Sequence, residues 1–393
     1  MSNPGEAETT YGRWPDDDRG RGRRRRDVQA AAARGLRRGR EQLNELAERA
    51  DRVDRGGYGF AGRQGRGRGD KGEGGERAVV PEATFTSYYG RPVVKASPWK
   101  ADIPAYFFFG GVAAGSSLLG AGADLTDRPA LRRVGRLGAL AGISLSMGVL
   151  IHDLGRPSRF LNMQRVMKPT SPMSVGTWIL SLYGPLAGLA AVSELVELSR
   201  YLPRALRGPA RLLASAARPA GLAAALTAPA VASYTAVLLS DTATPTWHDA
   251  YPHLPFFFVG SAAAAAGGLA MIAAPVGEAG PGRRMGIGGV LAEFVVDQRM
   301  EAAMGLTAEP LHDGKAGLYL RIAKTLNVIG LAGAVLLGRR SRTASVISGS
   351  ALLAGSACTR FGIFEAGQQS ARDPKYTVVP QRERLDAREG TKG

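Results

Sequence analysis

Residues 104–124 read PAYFFFGGVAAGSSLLGAGAD, and the fold turns on this stretch. Twenty residues pass before the first charge, Asp124. A helix crossing the hydrocarbon core of a bilayer needs about 20 mostly apolar residues, so the stretch reads as a membrane span. Ser97-Pro98-Trp99-Lys100 leads into it, and Trp99 suits the membrane interface. Working outward, further spans are expected near 134–151, 174–198, 219–240, 255–275, 317–338 and 343–361. The 53 glycines and 23 prolines fit this reading, since both are commoner in membrane helices than in soluble ones. Gly111 with Gly115, and Gly184 with Gly188, recur at the spacing that lets helix backbones approach closely.

Whole-chain averages conceal this organisation. A mean hydropathy of -0.09 with 22% charged residues reads as soluble, but residues 1–80 hold 19 of the 51 Lys and Arg and almost no apolar run. That region joins an Arg cluster (Arg21, Arg23, Arg24, Arg25, Arg26) to an Arg/Gly tract over 56–75, a composition that cannot bury enough apolar surface to fold. A short helix is expected at 41–53. The favoured reading of 1–95 is a solvated, disordered basic tail rather than an arm that binds RNA or anionic lipid, because Asp16, Asp17, Asp18 and Asp27 dilute its charge. The membrane domain is assigned to 96–365 and a C-terminal extramembrane tail to 366–393. The first residues lack an apolar signal-peptide core, so no cleavable secretory signal is expected.

The stretch 283–305 has two readings. Ile287, Leu291, Phe294, Val295 and Ala302 form one face, and Glu293, Asp297 and Glu301 stack at i, i+4 and i+8 on the other. It lies flat on the surface, or it crosses with the acids turned inward. Crossing gathers the odd-numbered loops on one side, with Arg128, Arg132 and Arg133, then Arg200, Arg204, Arg207 and Arg211, then Arg283 and Arg284, then Arg339, Arg340 and Arg342. The loop at 241–253 carries no Lys or Arg. That asymmetry is expected when the basic side is cytoplasmic, although the Arg-rich tail and the basic second loop (Arg156, Arg159, Arg165, Lys168) oppose that orientation. The favoured architecture is an all-α bundle of eight transmembrane helices in a bacterial cytoplasmic membrane.

Three polar groups are candidates for chemistry. The first, His152-Asp153-Leu154-Gly155-Arg156-Pro157 with Arg159, closes the second span; Asp153 is expected to pair with Arg156 or Arg159, in a helix cap or a loop that docks a partner. The second is Tyr234 in the fourth span, followed by Asp241, Trp247, His248 and Asp249. A quinone carbonyl accepts hydrogen bonds and reduction takes up protons, so a donor and a refill route are required; Tyr and Trp at interfaces also serve as plain anchors. The third is a set of carboxylates within or at the ends of spans, Asp124, Glu194, Glu197 and Glu293, the kind that builds proton or ion paths. All four histidines (His152, His248, His253, His312) fall in loops or at span ends, so no haem is expected. Cys358 is the only cysteine, which excludes a disulfide framework and any Cys-ligated metal or iron–sulfur site within this chain.

The stretches 103–119 (IPAYFFFGGVAAGSSLL), 152–162 (HDLGRPSRFLN), 171–178 (SPMSVGTW) and 234–248 (YTAVLLSDTATPTWH) resemble, in order, the NrfD/PsrC family of membrane subunits of molybdopterin oxidoreductases such as polysulfide reductase. The resemblance runs from about Ser97 to the C-terminus. It implies eight membrane helices, no metal or haem, and a pocket for menaquinone or ubiquinone between the first four helices. It also implies a docked iron–sulfur subunit with four clusters and a molybdopterin catalytic subunit beyond it. By matching position, Tyr234, Tyr106 and Asp102 are the quinone candidates. His152, Asp153, Arg156 and Arg159 fit the loop that touches the partner, and Asp241 and His248 are further candidates for docking or proton relay. The family's polar ligands on the first helix vary, and here that helix begins KADIPAYF. The expected role is a quinone-linked subunit that carries no catalytic cofactor of its own; a purely structural anchor and an ion-translocating or transport subunit are the alternatives.

Overall fold

The computed structural model describes residues 92–197 and 204–390, helical apart from short connections and without a strand among them. The helix expected at 41–53, the Arg/Gly tract and most of the basic tail lie outside the described residues. Nine long helices follow in order: α1 Asp102–Leu125, α2 Pro129–Asp153, α3 Pro172–Glu197, α4 Arg204–Ser240, α5 Leu254–Ala273, α6 Gly280–Met304, α7 Gly314–Leu336, α8 Arg342–Arg372 and α9 Lys375–Gly390. Short helical turns at Arg159–Asn162, Pro245–Asp249 and Gly305–Leu311 join some of them. Proline at the first helical positions of α2 and α5 starts those helices where an amide hydrogen has no partner to lose. Gly305, at φ 57°, stops α6 in a conformation that a side chain disfavours.

Seven of these helices, α1–α5, α7 and α8, are long and apolar enough to cross a membrane. The protein is a multi-pass membrane protein. Three boundaries differ from expectation. α2 begins at Pro129, a full turn earlier than 134, α4 begins at Arg204 rather than near 219, and α8 continues to Arg372 rather than stopping near 361. In each case the added turns carry charge at the end of a span, which hydropathy alone discards.

The apolar pattern is inverted relative to a soluble bundle. Leu145, Leu182, Leu226, Val328 and Ile347 stand outward, more than half of each exposed, while the interior is built largely from Ala, Gly, Ser and a few aromatics. In lipid the outward apolar surface costs nothing, and tight backbone approach supplies the packing. A Cβ on Gly267 would lie 2.5 Å from the Gly286 backbone, and one on Gly268 would lie 2.5 Å from the Gly349 carbonyl oxygen, so α5 meets both α6 and α8 at glycines. Gly115 packs on Ala266 in the same way, whereas Gly188 meets nothing within 4 Å. Of the two small-residue pairs singled out in the sequence, the one on α1 is a true helix contact.

Consecutive helices from α1 to α8 run antiparallel, which sorts their termini into two ends. One end collects arginines. There Glu194, 1% exposed, accepts from Arg132 at 2.8 Å and Arg136 at 3.2 Å, while Asp124 faces Arg136 at 3.5 Å and Arg218 at 3.4 Å. This cluster clamps α1, α2, α3 and α4. At the same end the Arg342 guanidinium caps the last turn of α5 through the carbonyls of Met271, Ile272 and Ala274. The opposite end gathers Trp99, Asp102, His152, Ser240, Trp247, Glu309 and Lys375.

α6 lies antiparallel to α5 along its length, with Gly260 beside Gly289 and Ala270 beside Gly282. Its acids turn inward: Glu293 is 3% and Asp297 7% exposed, while Leu291 and Val295 are each 50% exposed. The face read as uniformly apolar is therefore divided, since Ile287 and Phe294 pack inward and Leu291 and Val295 look out.

Candidate functional site

The first four helices bring two tyrosines together near one end of the bundle. Tyr106, in the first turns of α1, and Tyr234, near the end of α4, meet edge to face with ring centroids 6.4 Å apart. Both are buried. Gly176, inside the SPMSVGTW stretch, makes room for this: a Cβ there would lie 2.5 Å from Cε2 of Tyr234. Phe107 and Phe258 extend the aromatic wall on the other side of Tyr106. The Tyr234 hydroxyl is buried and has no hydrogen-bond partner among the described residues. An unmatched phenol in apolar surroundings costs about 1–3 kcal/mol, so the position suits an incoming acceptor such as a carbonyl oxygen.

Asp102 lies one helical turn before Tyr106, on the same face of α1. Its Oδ2 is 3.2 Å from Nδ1 of His152, the residue that ends the second span and is mostly exposed. This pair was not anticipated. The expected partners of Asp153 are not its partners: the Arg159 guanidinium reaches the Leu154 carbonyl at 3.4 Å, and the charges nearest Asp153 are Asp102, Lys100 and His152. Gly155, at φ 67°, turns the chain so that Arg156 and Arg159 point to the exterior. The candidates thus split into a buried pair, Tyr106 and Tyr234, and a rim of Asp102, His152, Asp153, Arg156 and Arg159.

Asp241 and His248 fall on the far side of this end. Both are exposed, and with Asp249, Tyr376 and Arg384 they line a cleft of about 450 Å³ beneath α9. Trp247, between them in sequence, is no interfacial anchor. It is 1% exposed, stacks on Trp99 at 6.0 Å, contacts Phe364 at 5.6 Å, and donates its indole N–H to the Ile363 carbonyl at 2.8 Å. A latch beside it went unnoticed in the sequence because its members are remote: Lys375 Nζ is 2.6 Å from Glu309 Oε2, which also accepts from the Tyr376 hydroxyl at 3.3 Å. The Lys375 ammonium holds the Glu309 carboxyl below the usual range, and burial, with Glu309 adding, pushes the Tyr376 phenol up to about 12.

A second polar series runs through the α5–α8 half. Thr359 donates to Glu293 at 2.7 Å. Arg360, 1% exposed, lies over the Phe258 ring at 3.7 Å and donates to the Phe258 carbonyl at 2.6 Å. Glu293 Oε2 and Arg360 Nε and Nη1 are buried without hydrogen-bond partners among the described residues. Toward the tyrosine end the series continues through Asp297–Lys324 at 2.7 Å, Lys324–Glu301 at 3.2 Å and Glu301–His312 at 3.6 Å. The acidic spacing on α6 was the sequence signal for this series; Arg360 gave none. Among the described residues no three His, Cys, Asp or Glu side chains gather as a metal-ligating group.

Residues 93–279 match the family model described as "Polysulphide reductase, NrfD". The match bears out the resemblance across α1 to α5 and ends just before α6. Among curated proteins, no sequence matches this chain.

Proposed function

We propose, from the NrfD-family character of residues 93–279, that this protein is the quinone-reactive membrane subunit of a polysulfide-reductase-like complex. In this reading it spans the bacterial cytoplasmic membrane eight times, with α6 as the sixth crossing. It exchanges electrons with a docked four-cluster iron–sulfur subunit, and a molybdopterin subunit performs the catalysis beyond. The quinone, menaquinone or ubiquinone, supplies the redox chemistry, taking up two electrons and two protons per reduction. The observation that carries the proposal is the buried, unmatched hydroxyl of Tyr234 beside Tyr106.

The chain's own residues bind, orient and move protons. Tyr234 donates a hydrogen bond to a quinone carbonyl, and the Tyr106 ring fixes the plane of the headgroup from the side. The surrounding aromatics exclude water. Asp102 receives protons from His152, which meets solvent, and holds them one turn from the tyrosine pair. The rim of Asp153, Arg156 and Arg159, and the cleft at Asp241 and His248, present charge to the docked subunit. Replacing Tyr234 by Phe keeps the ring and removes the donor; quinone-linked turnover is expected to fall at least tenfold, within the range of a lost acid–base contact, while turnover with an artificial dye is unchanged. Full quinone turnover in Tyr234→Phe, or indifference of the complex to quinone analogues, would leave only a structural anchor.

The Glu293–Arg360 series favours a second role, ion translocation alongside quinone chemistry. Buried ionisable groups in a membrane are costly and mark ion or proton routes. In sealed vesicles Glu293→Gln is expected to abolish proton movement coupled to turnover and spare turnover itself; coupled proton movement at the original level rejects this role.

A further inference from the structure

The outer faces of α5 and α6 enclose a groove of about 710 Å³. Its floor comes from two facing stripes at helical spacing, Val259, Gly260 and Ala263 on α5 and Gly288, Gly289 and Ala292 on α6. Five of these six are Gly or Ala, and Gly288 has nothing within 4 Å of where its Cβ would stand. The groove therefore forms a trench between two larger ridges rather than a flat helix seam. From Met285 to Arg299, which both line it, it runs about 21 Å at 1.5 Å per residue, the length of one extended fatty acyl chain.

The two terminal regions of the trench are chemically unlike. Toward Met285 it is apolar. At the tyrosine end it is bordered by Arg299 and His253. Among the described residues Arg299, which is exposed, makes no ion pair, and His253 Nδ1 is buried without a hydrogen-bond partner. No carboxylate lines the groove. The contrast lies on one helix: Asp297 and Glu301, on the inward face of α6, are matched by Lys324, whereas Arg299 on the outward face is left with positive charge and no counterpart.

We propose that this groove is a binding site for an anionic phospholipid of the adjoining leaflet, its phosphate held by Arg299 and His253 and one acyl chain laid in the Gly/Ala trench. The apolar length, the cationic end at headgroup depth and the absence of acids in the lining match a phosphodiester joined to a hydrocarbon chain. A bare phosphate would leave the trench unfilled. The inference rests on α6 crossing the bilayer, which impermeant thiol labelling at its two ends reads independently.

The test uses the full chain in nanodiscs of phosphatidylglycerol and phosphatidylcholine in equal parts, extracted gently and weighed by native mass spectrometry. The wild-type chain is expected to retain phosphatidylglycerol in preference to phosphatidylcholine. Arg299→Gln is expected to lower that preference about fivefold, the weight of one basic side chain near anionic lipid. Gly288→Leu, whose Cβ meets nothing within 4 Å, fills the trench and is expected to lose retained lipid of either headgroup. Equal retention in the wild type and both variants would overturn the site, as would a second copy of the chain or a quinone tail occupying the groove in place of phospholipid.

Discussion

A carboxylate held by an ammonium works as a latch only while both are charged, and Glu309 with Lys375 illustrates the point at the scale of single residues. The Glu309 carboxyl titrates below its ordinary value of 4.5, with Lys375 as the first cause. Its contribution is therefore complete above 4.5 and is lost as the pH falls through the lowered value. Lys375 titrates above its ordinary 10.5 because of Glu309, so the opposite limit is reached only at strongly alkaline pH. Between those limits α9 is held over the cleft at Asp241 and His248. Hydrogen-exchange protection across Lys375–Gly390, taken relative to the intrinsic exchange rate at each pH, is expected to fall below 4.5 in the wild type, and at neutral pH in Glu309→Gln to a similar degree. At this scale the sequence was half legible. Tyr106, Tyr234 and Asp102 were singled out, and they lie within two helical turns of one another across the α1–α4 contact. The partner of Asp102 was missed because His152 is fifty residues away and chemically satisfied by nothing local. Asp153 invites pairing with Arg156 and Arg159 by proximity in sequence, but Gly155 swings that loop outward.

Helices are tied to one another by two means here, glycine contacts and charge. At the arginine end Glu194 is fully buried and faces Arg132, Arg133 and Arg136. Removing one member of such a cluster leaves the others uncompensated, at a cost of roughly 3–5 kcal/mol. Glu194→Ala is expected to lower the melting temperature in detergent markedly, while the exposed Arg284→Ala leaves it unchanged. Element boundaries were legible to within a turn or two wherever apolar runs set them. They failed at α2, α4 and α8, where the helix carries on into charged turns. α6 was ambiguous because its hydropathy averages inward acids with outward Leu291 and Val295; only the positions of its neighbours distinguish the two readings. In a Cys358→Ser background, Arg284→Cys and Asp313→Cys are expected to react with an impermeant thiol reagent from opposite faces of sealed vesicles. Labelling of both from one face would make α6 a surface helix.

The described residues form two sets of helices, α1–α4 and α5–α8, joined where α1 packs on α5 and α8 and where α4 packs on α5. The first set, with α5, carries the family match and the tyrosine pair; the second carries the Glu293–Arg360 series and the lipid-facing groove. The seam between them is aromatic and cationic, with Arg360 lying between Phe258 of α5 and Gly111 of α1. Sequence order foretold the helices but not this seam, because Arg360 and Gly111 carry no shared spacing. The seam's tyrosine end has a further consequence. Trp99, ahead of the first helix, stacks on Trp247, which rests on Phe364, and the Gln368 side chain donates to the Ser97 carbonyl at 3.0 Å. The lead-in to the first helix is thus fastened by residues of α8. During synthesis this end of the bundle remains unfinished until α8 has left the ribosome and been inserted, so a product cut short before α8 leaves Ser97 and Trp247 without these contacts.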